Sequence, residues 1–92
     1  MYLEIVTPEA VLFSGEVTSV AVPGVEGEFQ MLNNHAPIVS LLGKGKVKIY
    51  GNIALEDEVA SKFSKDPNGA TVLAITSGTV EMNDNKVIVL AD

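Results

Sequence analysis

The apolar residues of this chain never run long. They come in stretches of about four to six, each closed by glycine, proline or asparagine, which excludes long helices and leaves short strands as the main element. Lys46–Tyr50 is the clearest case: Val47 and Ile49 fall on one side, Lys46 and Lys48 on the other, the two-residue period of a half-buried strand. Tyr2–Thr7 alternates in the same way, with Leu3 and Ile5 opposite Glu4, and Pro8 ends it because proline cannot donate to a ladder.

Further along, Ser14-Gly15 reads as a turn into Glu16–Val22, where Val17 is out of phase with Val20 and Val22 and a bulge near Thr18-Ser19 is expected. Pro23-Gly24-Val25-Glu26-Gly27 reads as a loop, Glu28–Leu32 as an alternating strand, Asn33-Asn34 as a turn, and Ile38–Leu42 as a short, deeply buried strand. Thr71–Thr76, Thr79–Met82 and Lys86–Leu90 complete the strands, separated by turns at Ser77-Gly78 and Asn83-Asp84-Asn85. Leu55, Val59 and Phe63 recur at helical spacing with Asp57 and Glu58 in the first turn, so one short helix is expected over Leu55–Phe63. The pattern predicts an all-β fold, a small β-sandwich or barrel of about eight to ten strands, in one domain spanning residues 1–92.

Composition narrows the function classes. At 92 residues a second independent core is not expected. The chain has 12 acidic residues against 6 lysines and no arginine, for a formal charge of −6, and every lysine lies at or beyond Lys44. Nucleic acid, which is gripped through clustered lysine and arginine, is therefore not an expected partner. Residues 1–43 carry only Glu4, Glu9, Glu16, Glu26 and Glu28, so this half is a candidate docking face for a basic partner as well as a source of solubility. There is no cysteine, hence no disulfide or thiol nucleophile, and nothing requires an oxidising compartment. The start Met1-Tyr2-Leu3-Glu4-Ile5 does not read as a signal peptide and no apolar run approaches a membrane span, so membrane association is expected only through another protein.

No residue set reads as catalytic. His35 is the only imidazole, whereas zinc and iron sites use two or more His or Cys ligands, so it reads as a structural or contact residue and no metal or cofactor is expected. Glu26 and Glu28 have the i, i+2 spacing of paired hydrolase carboxylates, but the segment has nothing built to hold a sugar ring. Gly24-Val25-Glu26-Gly27 and Gly43-Lys44-Gly45-Lys46 miss the phosphate-loop spacing and read as turns. Lys44 on a glycine-flanked turn leaves open an alternative, a lipoyl- or biotinyl-type carrier modified at that lysine. A free-standing adaptor is a further alternative.

Five blocks carry a resemblance: Leu3-Glu4-Ile5-Val6-Thr7-Pro8-Glu9, Leu12-Phe13-Ser14-Gly15-Glu16-Val17, Val22-Pro23-Gly24 with Gly27-Glu28-Phe29, Asn34-His35-Ala36-Pro37-Ile38-Val39, and Val87-Ile88-Val89-Leu90-Ala91-Asp92. In that order and spacing they resemble the N-terminal β-sandwich of the epsilon subunit of bacterial F-type ATP synthase. Residues Asn52–Gly69 are longer and more polar than the family's usual hairpin, and the resemblance stops there. It implies a non-catalytic rotor subunit in a proton-translocating complex, at the cytoplasmic face of the cell membrane, coupling the proteolipid ring to the gamma shaft. It also implies that Glu26, Gly27 and Glu28 face the ring, whose polar loops commonly carry an arginine, and that Thr7, His35 and Ser40 face gamma. His35 and Pro37 serve either contact or loop shape, and Pro23 and Gly24 read as loop-shaping. Typical members continue into a pair of C-terminal helices that inhibit ATP hydrolysis; this chain, which stops at Asp92, is expected to lack them.

Overall fold

A computed structural model describes residues 1–92. The alternation in Lys46–Tyr50 is realised as one strand of ten, with Val47 and Ile49 fully buried and Lys46 exposed. In chain order the elements are β1 (Tyr2–Val6), β2 (Val11–Glu16), β3 (Ser19–Gly24), β4 (Gly27–Met31), β5 (Ile38–Leu42), β6 (Gly45–Tyr50), α1 (Asp57–Ala60), β7 (Phe63–Lys65), β8 (Thr71–Ile75), β9 (Gly78–Asn83) and β10 (Lys86–Ala91). They form one continuous sheet that curls over itself. One half has the order β2-β1-β10-β9-β5; the other has β4 and β6 on either side of β3, followed by β8 and β7. The halves are joined edge to edge only through the pair Gly24 and Leu42. Pairing is antiparallel throughout except for β1 with β10, which lie side by side in parallel from Tyr2–Lys86 to Val6–Leu90.

The inward residues of both halves make one core. Leu3 and Ile5 of β1, Val80 and Met82 of β9 and Val87 and Val89 of β10 meet Val20 and Val22 of β3, Met31 of β4 and Val47 and Ile49 of β6. This two-layer arrangement is the expected small β-sandwich: each sheet buries one face against the other. The β9–β10 hairpin closes through Asp84 and Asn85, both with positive φ (51° and 60°), the backbone that a two-residue hairpin turn of this twist requires and that Asn and Asp tolerate.

Three local expectations change. Ser14-Gly15 is not a turn: β2 runs through it, pairing Ser14 with Glu4 and Gly15 with Leu3. The out-of-phase Val17 marks not a bulge but the crossing from one half-sheet to the other, where Val17 N–H donates to Met1 O and Thr18 N–H to Tyr50 O, each at 2.8 Å. The helix is confined to Asp57–Ala60, with Val59 its buried residue. Phe63 already belongs to β7 opposite Leu73, and Leu55 and Phe63 pack on the core from outside the helix.

Candidate functional site

The β3–β4 hairpin projects an acidic tip. β3 continues through Pro23 and Gly24, so the connection shrinks to the two residues Val25 and Glu26, with Gly24 paired to Gly27. Glycine is needed on both sides of the turn. A Cβ on Gly24 would lie 2.8 Å from Gly27 O and 2.9 Å from the Phe29 ring, and Gly27 has φ +131°, which other L-residues rarely adopt. The consequence is that Val25, Glu26, Gly27 and Glu28 are all exposed at the tip. With Gly24, Phe29 and Ser40 they line a crevice of about 340 Å³.

Glu28 is held from behind. Its Oε1 is 3.2 Å from Lys48 Nζ on β6, reaching across β3. The hydrogen bond to Glu28, then its charge, raises the Lys48 ammonium above the ordinary lysine value of 10.5. A raised folded value means that the stability from this exposed pair is complete below the unfolded lysine value and is lost as pH rises through the folded one. Urea midpoints of the wild-type chain and Glu28→Gln are therefore expected to converge as pH rises through the raised Lys48 value.

The strand register separates the other candidates. Thr7 follows the end of β1 that is level, through Leu90 and Thr79, with Leu41, and so lies at the same end of the sandwich as the hairpin tip. His35 precedes β5 at the opposite end, where its N–H donates to Leu32 O at 3.0 Å and its ring Nδ1 lies 2.7 Å from Ala36 O. The Thr7 hydroxyl is absorbed by its own turn: it accepts from Ala10 N–H at 3.2 Å and donates to Ala10 O at 3.1 Å. Ser40 sits on the inward side of β5, opposite buried Val80, and is brought beside Glu26 and Glu28 rather than beside Thr7 or His35. Pro37 ends the loop just before β5, and Lys44 is exposed on the turn between β5 and β6.

A second surface was hidden by the sequence. Ile38–Leu42 is not deeply buried: β5 is the last strand of its half-sheet, and Val39 and Leu41 on its outward side are 75% and 63% exposed. The register carries an apolar row from Leu41 past Thr79 to Leu90 (51% exposed), Val6 and Val11 (51% exposed), across all five strands of that half. A single outward Val or Leu needs no explanation, but an in-register row of them on an open sheet is the mark of an interaction face. No three His, Cys, Asp or Glu side chains gather to hold a metal, and no helix is long and apolar enough to cross a membrane.

All of residues 1–92 match the family described as ATP synthase, Delta/Epsilon chain, beta-sandwich domain. The chain belongs to this family. It is 39% identical over 90 residues to the ATP synthase epsilon chain of Chlorobium limicola, covering 98% of this chain and 86% of that one. It is 42% identical over 92 residues to the ATP synthase epsilon chain of Campylobacter fetus subsp. fetus, of which it spans 60%. Its fold is also that of a chain in the central stalk and c-ring structure of the Tetrahymena thermophila mitochondrial ATP synthase, with TM-score 0.72 at 17% identity, covering 99% of this chain and 62% of that one. The epsilon family is a non-catalytic part of the synthase, which argues against a carrier role for Lys44.

Proposed function

We propose that this epsilon-type domain is a coupling piece of the central stalk. It joins the proteolipid ring to the gamma shaft of a proton-translocating F-type ATP synthase, at the cytoplasmic face of the cell membrane. The observation that carries this reading is that one rigid sandwich offers two surfaces of different chemistry in different places. The acidic tip of Glu26, Gly27 and Glu28 suits a basic loop of the ring, and the apolar outer face with Val39, Leu41 and Leu90 suits a broad, dry contact with gamma. Thr7 and His35 flank that face at its two ends, while Ser40, beside the acidic tip, is better placed to support the ring contact. A rotor coupling needs no catalytic group; it needs two attachments stiff enough to carry torque, and a close-packed two-layer β core is stiff.

The test is a charge change at Glu28 in the assembled complex. Glu28→Lys is expected to weaken retention of the ring by about tenfold or more, the scale of one charge-assisted contact, while leaving association with gamma within about twofold. Equal loss of both partners, or no loss of the ring, would refute the assignment of the tip to the ring.

A further inference from the structure

Glu28 does not wait for its partner with a free carboxylate. Lys48 lies on β6 in register with Ala21 of β3, and Glu28 lies diagonally beyond, on β4, opposite Pro23. Ala21 presents only a methyl group, so the lysine stem can cross β3 and place Nζ 3.2 Å from Glu28 Oε1. Gln30, the residue of β4 level with Ala21, is occupied elsewhere: its Nε2 donates to Ser19 Oγ at 3.0 Å. Beyond Glu28, the Tyr50 phenol and then the Asp66 carboxylate also raise Lys48, and no second ion pair restrains either partner.

We propose that Lys48 is an internal competitor for the docking carboxylate, so that a basic partner binds the hairpin tip only by displacing the Lys48 ammonium from Glu28. This rests on the reading of Glu28 as a ring contact and adds the residue that sets its strength and selectivity. The Lys48 contact uses a single carboxylate oxygen, Oε1. An ammonium is a point donor, whereas a guanidinium grips both oxygens of a carboxylate in parallel. A planar, two-pronged cation therefore displaces Lys48 where another lysine merely exchanges with it. The device favours arginine-bearing partners and keeps the exposed tip from collecting stray ammonium groups.

The experiment uses the 92-residue chain and ring-containing membranes stripped of their own copy of this subunit, with binding read across a concentration series. Lys48→Met, which keeps the stem and removes the charge, is expected to tighten membrane binding about two- to fivefold, the range of an exposed ion pair. Lys48→Arg, which holds Glu28 through two prongs, is expected to weaken it. Combined with Glu28→Gln, the Lys48→Met change is expected to have no further effect. In parallel, NMR titration of the Lys48 ammonium in the isolated chain is expected to show its pKa fall in Glu28→Gln.

Weaker or unchanged binding of Lys48→Met, tightening that persists without Glu28, or an unmoved ammonium titration overturns the role of Lys48. Where Glu28→Gln itself still weakens binding, each of those results leaves the ring reading standing. If Glu28→Gln binds the membranes like wild type, the ring reading falls and takes this inference with it.

Discussion

Replacing Ile5 with alanine is expected to remove about 2–5 kcal/mol of stability, the usual cost of truncating a fully buried isoleucine. Ile5 of β1 is wholly inaccessible, flanked in register by Phe13 of β2 and Val89 of β10. β1 itself is laddered on both sides, to β2 and β10, so the backbone around Ile5 has little freedom to close the void. A domain of this kind has only about 5–15 kcal/mol in total, so the change takes a large share of the margin. Urea unfolding followed by circular dichroism is the measurement. The midpoint is expected to fall with the slope unchanged, because the surface exposed on unfolding is nearly the same. Val6→Ala, one residue along on the outward row, is expected to cost under about 1 kcal/mol. Equal effects at Ile5 and Val6 would contradict the assignment of inner and outer faces on β1.

How far such faces are legible depends on what each strand borders. Lys46–Tyr50 was readable because β6 has an apolar core on one side and solvent on the other, so the sequence repeats at period two and the structure obeys it. Tyr2–Val6 and Lys86–Ala91 follow the same rule. The run from Ser14 to Val22 misleads because the chain changes sheets within it. Val17 and Thr18 are spent on the crossing, and an alternation that restarts in a second sheet looks like a bulge in one. Gly15 reads as punctuation, yet in β2 it is an ordinary ladder residue opposite Leu3. In the stretch after Asn52, Leu55, Val59 and Phe63 all reach the core, but only Val59 does so from a helix, because spacing reports which side chains go inward and not the backbone that carries them.

The site was divided in the same way. Glu26 and Glu28 stand out as the only charges on a glycine-bounded hairpin, and the structure places them at its exposed tip. The ion pair with Lys48 was not legible, because Glu28 and Lys48 are joined through the register of two different strand pairs that no local pattern fixes. Ile38–Leu42 shows the most instructive failure. A continuous apolar run is the ordinary signature of a strand covered on both faces. In a two-layer sandwich no third layer exists to cover the outer face, so the same run signals a surface awaiting a partner.

That distinction yields the last expected result: a polar charge at Val39 or Leu41 is expected to break the association with gamma while the fold survives. Both side chains are mostly exposed in this chain, so folding stability is expected to change by no more than about 0.5 kcal/mol. Buried in a partner interface, each contributes about 1.5–3 kcal/mol as an apolar group, and an unpaired charge in its place adds a desolvation cost. Leu41→Glu sits opposite Thr79 and meets no like charge, while Val39→Lys sits opposite Glu81 and gains a cross-strand partner, so neither disturbs the sheet. Because the two carry opposite charges, loss of binding in both cannot be ascribed to the sign of the charge and must come from the lost apolar contact. Each is expected to weaken the complex with co-expressed gamma by at least about tenfold, and the pair by about a hundredfold, with the thermal midpoint of the isolated chain nearly unchanged. Wild-type affinity in the double variant would show that gamma docks elsewhere, and the open row from Leu41 to Val11 would then have to be covered by another surface of the complex.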